Sequence, residues 1–218
     1  MVTDEPFRIA GNLYYVGAVD MAAFLLTGPV GHVLIDGGWP ETAPAIIGSI
    51  AAPGFEITDV KVLLNSHAHS DHAGVLRALQ QAPGAELWVS EKEASLMAAV
   101  HTRGCTSWSF PVLDGCCELL AVNVCSLTLF PFASLVEPEA YPGIQADFLG
   151  SFQTLRSLPA DIVLGSHASF VGLRRTRRES HGASHPVASF IDRAGYLSFT
   201  GRAWFGDQHR VGVAERHA

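Results

Sequence analysis

The sequence predicts an α/β fold, a sandwich of two sheets with helices, and three observations lead to this prediction. Short apolar segments alternate with helical segments along most of the 218 residues. Hydrophobic residues make up 48% of the chain and charged residues 16%, which suits one sizeable domain, residues 1–218, with a real core. Two apolar segments, 60–64 and 161–164, are each followed within three residues by a histidine, as expected where strands deliver side chains to a site at their carboxyl ends.

The first half of the chain is expected to begin as a meander of strands and to continue as alternating helices and strands. Turn residues such as Gly28-Pro29 separate the early strands. The apolar stripe of Ile46, Ile47 and Ile50 predicts the first helix, and Ser90 is a plausible N-cap for the third. The predicted strands cover residues 13–16, 22–26, 32–35, 60–64 and 86–89, and the predicted helices cover 42–50, 74–81 and 91–100.

The second half repeats this pattern. Strands are predicted at 106–112, 119–129 and 161–164, and helices at 144–158 and 188–205. Residues 119–136 carry no charge and are long enough to span a bilayer. Their polar residues and β-branched stretches favour a buried strand and a loop, so no membrane span is expected.

Charge and cysteine content narrow the function. The net charge of −7 disfavours nucleic-acid binding, and the isolated basic run 174–178 is predicted to be a solvated helix or loop face. The four cysteines form no C-x-x-C pair, so no disulfide framework can be assigned. The N-terminus has neither a basic nor an apolar export region, so two alternatives are expected: a cytoplasmic location for the chain as written, or a mature or trimmed form of the protein.

The most informative segment reads H-x-H-x-D-H and contains His67, His69, Asp71 and His72. Imidazoles and carboxylates are the ligands that hold zinc in hydrolytic sites. His67 and His69 are two positions apart, so an extended segment points both to the same side. Asp71 and His72 follow in a turn and can face a second metal, and two neighbouring metals can share a hydroxide.

Such a site needs further ligands from elsewhere in the chain. His167 is the first choice because it ends a buried strand, and His101 is the second because it lies between a predicted helix and a turn. The remaining histidines have no partners in sequence and are predicted to be ordinary core or surface residues; they are His32, His181, His185, His209 and His217.

These motifs resemble the metallo-β-lactamase superfamily, whose hallmark is H-x-H-x-D-H after a strand, and they are most similar to subclass B3 of the β-lactamases. The matching stretches cover most of the chain. They are residues 11–17, 32–38, 66–74, 101–108, 141–144 and 158–170.

The resemblance implies a fold, a cofactor and an activity. The fold would be a four-layer αβ/βα sandwich, and two zinc ions would be bound. His67, His69 and His101 would hold the first zinc, and Asp71, His72 and His167 the second. A metal-bound hydroxide would open the β-lactam ring of penicillins, cephalosporins or carbapenems, an antibiotic-resistance activity of periplasmic enzymes. The partner would be this small-molecule substrate, and no oligomeric state is predicted.

The resemblance also implies roles for residues around the metals. Asp71 would orient the hydroxide and shuttle a proton. Ser126 and Thr128 would bind the carboxylate of the drug, and Trp39 would line the pocket. Cys125 is adjacent to Ser126, and a shift of one residue would exchange the two across the sheet, although the flanking motifs favour Ser126 facing the metals.

Two departures define the alternatives. Lactonase-, glyoxalase- and phosphodiesterase-like members carry a metal-bridging Asp on the strand at 124–128, which has no carboxylate here. The interval from Asp71 to His101 is short, so a segment between Val100 and His101 is expected to be missing, with strands of the first sheet. The alternatives are therefore a hydrolase of lactones or thioesters, and a degenerate relative without activity.

Overall fold

The computed structural model describes residues 4–81, 84–89, 104–127 and 142–201, and it contains two sheets. The first sheet has six described strands in chain order, of which the first four are antiparallel and the last two pairings are parallel. They are β1 (Phe7–Ala10), β2 (Leu13–Tyr15), β3 (Phe24–Leu26), β4 (His32–Ile35), β5 (Val60–Leu64) and β6 (Glu86–Trp88).

Helices cover the outer face of the first sheet. They are α1 (Ala43–Ala51), the single turn α2 (Ser70–Ala73) and α3 (Leu76–Gln81). Ile46 and Ile50 of α1 and Leu79 of α3 pack against Leu34 and Leu63 of the sheet, and all five are almost completely buried. The alternation of side chains along β4 and β5 therefore gives each strand one face toward these helices and one toward the second sheet.

The second sheet has three described strands, with β7 antiparallel and β9 parallel to the central β8. They are β7 (Trp108–Asp114), β8 (Cys117–Val124) and β9 (Ile162–Gly165). Its outer face is covered by α4 (Ile144–Ser157), whose Phe148 and Phe152 pack on Val122 and Val124.

The faces that the two sheets turn toward each other form the central core. Ile9, Leu13 and Phe24 of the first sheet pack there with Ala121 and Leu164 of the second. Helices, sheet, sheet and helix thus follow one another in four layers, which confirms the predicted α/β sandwich.

Several predicted boundaries were wrong. β1 was not predicted. The basic run 174–178 lies in the helix α5 (Leu173–Ser180), which is the first of the two alternatives predicted for it, a helix or a loop face. The predicted helix 188–205 is interrupted, because a 3-10 turn ends at Phe190 and helical residues resume at 193. β8 ends at Val124 rather than at residue 129, since the backbone N–H of Cys125 donates to Ser107 Oγ instead of a neighbouring strand.

Other predictions fall outside the described residues. These are the helix 91–100 and the segment expected to be missing between Val100 and His101, together with the strands lost with it. Within the described part of the chain, no helix is both long and apolar enough to cross a membrane.

Four strands end at the same edge of the sandwich. β4 and β5 are parallel neighbours in the first sheet, and β8 and β9 are parallel neighbours in the second. Their carboxyl ends lead to Asp36, His67, Cys125 and His167 respectively. The edge therefore collects polar side chains from both sheets, as α/β sites commonly do.

Candidate metal centre

The H-x-H-x-D-H motif occupies the turn between β5 and α3. His67 follows the strand, His69 is the N-cap of α2, and Asp71 and His72 lie on that single helical turn. The backbone N–H of His72 donates to the carbonyl oxygen of His69 at 2.9 Å, which closes the turn. His67 and His72 are buried, whereas His69 and Asp71 are partly accessible to water.

Asp36, at the end of β4, fixes this turn from below. Its carboxylate accepts hydrogen bonds from the backbone N–H of Ser66 at 2.7 Å and from Ser66 Oγ at 2.6 Å. The same carboxylate lies 3.5 Å from His72 Nδ1. Asp36 has φ of 57°, a left-handed conformation that Asp adopts more readily than most residues. This left-handed turn at Asp36, the Asp36 corner, places one carboxylate against both Ser66, just before the motif, and His72, its last residue.

His167 brings the second sheet to the same place. The segment after β9 is tied to the loop between β2 and β3, because Ala22 donates its N–H to the Ser166 carbonyl and Ala168 donates to that of Asp20. The Asp20 carboxylate also lies 3.1 Å from His167 Nδ1 and accepts the Ser169 N–H at 2.9 Å. Asp20 therefore holds the outer edge of the His167 ring.

Three ligand atoms form a triangle whose size suits a metal. His72 Nε2 lies 3.3 Å from His167 Nε2 and 3.3 Å from Asp71 Oδ2, and His167 Nε2 lies 3.6 Å from Asp71 Oδ2. Tetrahedral zinc with bonds of about 2.0–2.1 Å has ligand atoms about 3.3–3.4 Å apart. Two imidazoles and a carboxylate are also the right chemistry, so the residues fit a divalent ion such as zinc.

A second group of donors adjoins the first and shares Asp71 with it. Ligand atoms of His67, His69 and Asp71 lie within 4.8 Å of one another. The rings of His67 and His69 have centroids 4.8 Å apart, and those of His67 and His72 are 4.1 Å apart. The motif therefore offers ligands for two neighbouring metal positions.

The electrostatics of the cluster follow from its carboxylates. Burial would by itself lower the pKa of His72, but the adjacent carboxylates of Asp36 and Asp71 outweigh it and raise this pKa to about 9. The hydrogen bond from His72 in turn holds the pKa of Asp71 well below its usual range. Without metal, His72 is thus an imidazolium at neutral pH, and a bound cation would take the place of its proton.

A disulfide lies directly beside the cluster. Cys105 and Cys125 are bonded, and Cys125 Sγ is 3.4 Å from His67 Nδ1. The absence of an assignable bridge in the sequence was therefore misleading, because the bond joins the end of β8 to the segment before β7 across 20 positions. Cys125 is buried and its sulfur is occupied by the bond, while Ser126 is half-buried next to it.

The structure brings together five of the predicted site residues: His67, His69, Asp71, His72 and His167. Trp39 follows the Gly37-Gly38 turn and is 40% exposed near this edge. His101 and Thr128 lie outside the described residues. Among the histidines predicted to be structural, His32 packs edge-on against Phe55, and His181 and His185 are exposed.

The sequence did not predict Asp36 and Asp20, whose carboxylates contact the rings of His72 and His167. Asp36 carried a signal, since a lone acid before Gly37-Gly38 ends an apolar strand within the matching stretch 32–38, but no role was predicted for it. Asp20 carried none, because nothing in its local sequence points to a partner 147 positions away.

Comparisons with known proteins agree with this geometry. The family model described as the metallo-beta-lactamase superfamily matches residues 17–107. The chain is 33% identical over 75 residues to the N-acyl homoserine lactonase AttM of Agrobacterium fabrum, a match covering 24% of this chain and 28% of AttM. The chain spans less than a third of the curated relatives it matches, 21% and 28% of their lengths.

Solved structures match over nearly the whole chain. The native FEZ-1 metallo-beta-lactamase from Legionella gormanii is 30% identical, with a TM-score of 0.89, and 98% of each chain is covered. BJP-1, a subclass B3 metallo-beta-lactamase of Bradyrhizobium japonicum, is 25% identical, with a TM-score of 0.86, and the match covers 99% of this chain and 97% of BJP-1. With the layered fold, the histidine motif and these matches in agreement, the chain belongs to the metallo-β-lactamase superfamily.

Proposed function

We propose that this protein is a zinc-dependent hydrolase that opens the β-lactam ring of antibiotics, in the manner of the subclass B3 enzymes that its structure resembles. The observation that carries the proposal is the triangle of His72 Nε2, His167 Nε2 and Asp71 Oδ2, with edges of 3.3–3.6 Å. In the proposal these residues hold one zinc, and His67, His69 and His101 hold the other.

The metal ions would supply two things that side chains lack, namely a water of lowered pKa and polarisation of the substrate carbonyl. Asp71 is the residue suited to manage the proton. Its lowered pKa keeps it ionised at neutral pH, and its side chain is 21% exposed, so water can reach it. An ionised Asp71 Oδ2 can orient a water by accepting its hydrogen bond. It can then take the proton that this water gives up and pass it to the departing nitrogen.

Substrate binding is assigned to residues at the rim of the centre. β-Lactam drugs carry a carboxylate, and hydroxyl groups can donate hydrogen bonds to it. Ser126, next to the disulfide, and Thr128 are proposed for this role. Trp39, which follows Gly37-Gly38 and is 40% exposed, is proposed as an apolar wall for the rest of the substrate.

A rival activity within the superfamily is hydrolysis of a lactone or thioester. The partial match to an N-acyl homoserine lactonase favours it. Against it, the end of β8 and the residues after it, 124–127, include no carboxylate that could bridge two metals. A second rival is a degenerate relative that binds little metal, as a missing segment before His101 would suggest.

The disulfide between Cys105 and Cys125 is relevant to the cellular compartment of the protein. Disulfides persist in oxidising compartments, and the Cys105–Cys125 bond fits the periplasmic location that we propose with the activity.

One experiment separates the three functions. Metal content is measured by mass spectrometry on the same purified sample that is assayed with nitrocefin, a carbapenem and an acyl homoserine lactone. About two zinc ions per chain with β-lactam turnover supports the proposal. Lactone turnover without β-lactam turnover would contradict it, and clearly less than one zinc per chain would favour the degenerate relative.

Two variants assign the activity to the centre. His69→Ala removes a proposed ligand and is expected to abolish hydrolysis. His185→Ala removes an exposed histidine outside the centre and should leave both hydrolysis and zinc content unchanged. Unchanged hydrolysis in His69→Ala would refute the assigned site.

A further inference from the structure

Two neighbouring cysteines lie at the tip of the β7–β8 hairpin, far from the metal centre. Cys116 and Cys117 are both exposed, and their sulfur atoms are 4.0 Å apart. The other two of the four cysteines in the chain are joined in the Cys105–Cys125 disulfide. The hairpin tip therefore presents the two free thiols of the protein side by side to solvent.

The hairpin holds this pair in place. Asp114 pairs with Cys117 across the strands, so Gly115 and Cys116 form a two-residue turn. Adjacent residues within a strand point to opposite faces, but Cys116 belongs to the turn, and the chain reversal brings its sulfur next to that of Cys117. Gly115 adopts φ of 62°, which suits glycine in such a turn.

Contacts with the first sheet anchor the tip. Asp114 Oδ1 accepts the backbone N–H of Gly11 at 2.9 Å, and Asn12 Oδ1 accepts that of Leu113 at 2.9 Å. Gly11 has no room for a Cβ atom, because one would lie 1.8 Å from the Leu113 carbonyl oxygen. The two thiols thus stand on a turn that is fixed on one side and open on the other.

The surroundings select the kind of ligand. Contact with Cys116 and the nearby Asp114 carboxylate raise the pKa of Cys117, which keeps this thiol protonated at neutral pH. Protonated thiols react slowly with peroxides and with most electrophiles. A soft, uncharged centre that condenses with two thiols and adds no charge beside Asp114 fits such a pair better than a hard cation does.

We propose that Cys116 and Cys117 form a chelating site for trivalent arsenic compounds. In the reaction with an arsonous acid, each thiol gives its proton to an arsenic-bound hydroxyl. Two As–O bonds break, two As–S bonds form, and two water molecules leave. Arsenic stays trivalent and sulfur is not oxidised, so no oxidant or reductant is needed.

The site is independent of the proposed hydrolase. β8 runs from Cys117 to Val124 and reaches the metal centre only beyond its far end. Seven steps of about 3.3 Å per residue separate these two positions by roughly 23 Å. Ligand bound at the hairpin tip therefore leaves the histidine cluster untouched, and hydrolysis serves as an internal control for folding.

Phenylarsine oxide, which hydrates to an arsonous acid, is the probe. The full chain is purified without reductant, its two free thiols are counted with a chromogenic disulfide, and intact-mass spectrometry follows the titration. One phenylarsenic per chain is expected, with both thiols lost, stable to a monothiol and released by a dithiol. A chain with two titratable thiols that binds no probe would overturn the proposal.

Serine variants locate the site. Cys116→Ser and Cys117→Ser should each bind the probe at least about 100-fold more weakly, because the second thiol acts at high effective concentration. Equal binding in either single variant would show attachment to one sulfur rather than chelation and would contradict the proposal. Binding that survives in the double variant would show that the arsenic attaches elsewhere in the chain and would contradict the proposal as well.

Discussion

The carboxylate of Asp20 lies 3.1 Å from Nδ1 of His167, although 147 positions separate the two residues in the chain. Asp20 belongs to the loop between β2 and β3 of the first sheet, and His167 follows β9 of the second. A carboxylate on the outer nitrogen of a ligand histidine fixes its orientation and raises its basicity. The contact therefore leads to the first prediction.

Asp20→Asn is expected to weaken zinc binding about 10- to 100-fold, because the amide keeps the size of the side chain but not its charge. Competition with a chromogenic chelator measures the affinity. Asp59→Asn, an exposed acid away from the centre, is the matched control and should bind zinc like the unchanged protein. An affinity within twofold of that control would show that Asp20 does not support His167.

Asp36→Ala is expected to lower the free energy of unfolding by about 2–4 kcal/mol. The variant leaves the buried N–H and hydroxyl of Ser66 without their acceptor, and it places alanine at φ of 57°. Chemical denaturation of the metal-free protein measures this loss. Ser66→Ala removes only one of the two donors and should cost about 1 kcal/mol. If Asp36→Ala lowers the free energy of unfolding no more than Ser66→Ala does, the stabilising role of Asp36 is contradicted.

The stability of the metal-free protein should depend on pH through His72. The pKa of this residue is raised from 6.5 to about 9 in the folded state, so the folded state binds its proton more tightly than the unfolded state. The resulting stabilisation is complete below pH 6.5 and is lost as pH rises toward 9. One proton limits the slope to about 1.4 kcal/mol per pH unit.

Denaturation of chelator-treated protein at several pH values between 6 and 9 checks this expectation. His72→Gln cannot carry the proton and should lose the decline in that window. A decline of the same size in His72→Gln would assign the pH dependence to another group.

Removal of the Cys105–Cys125 disulfide by the double substitution to serine is expected to lower the free energy of unfolding by about 3 kcal/mol. The bond closes a loop across 20 positions, and the loss of this constraint on the unfolded chain sets the estimate. Denaturation without reductant measures it. Cys116→Ser/Cys117→Ser is the matched control and should be nearly neutral, and equal costs in the two double variants would contradict the expectation.

The residues of the centre that could be predicted are those marked by a short local pattern in the sequence. Four proposed ligands lie within six positions after an apolar strand, and His167 was predicted because it too follows such a strand. Asp20, Asp36 and the disulfide act through the packing of one sheet on another. Only the three-dimensional arrangement of β4, β8 and the β2–β3 loop brings them to the ligands, so no local pattern could reveal them.

The fold followed the same rule. Buried strands such as β5 and β9 were predicted because both of their faces are covered and their sequences are almost wholly apolar. The end of β8 was misplaced because a side chain, Ser107 Oγ, takes over the next backbone N–H. The helix α5 was left undecided between helix and loop because its composition is mostly charged, and its few buried residues include Leu173.

The contact between His72 and His167 also has a consequence for synthesis, because the ribosome makes the two residues at different times. Ninety-five positions separate the two residues, so His72 is synthesised about 5–20 s before its partner. During this interval the nascent chain already contains the whole histidine motif, with the Asp36 corner and the first sheet that support it. The stretch that matches the family, 17–107, is therefore synthesised while the triangle still lacks its third corner, His167. Newly made chains should therefore complete the proposed metal position that uses His167 only when their last quarter emerges.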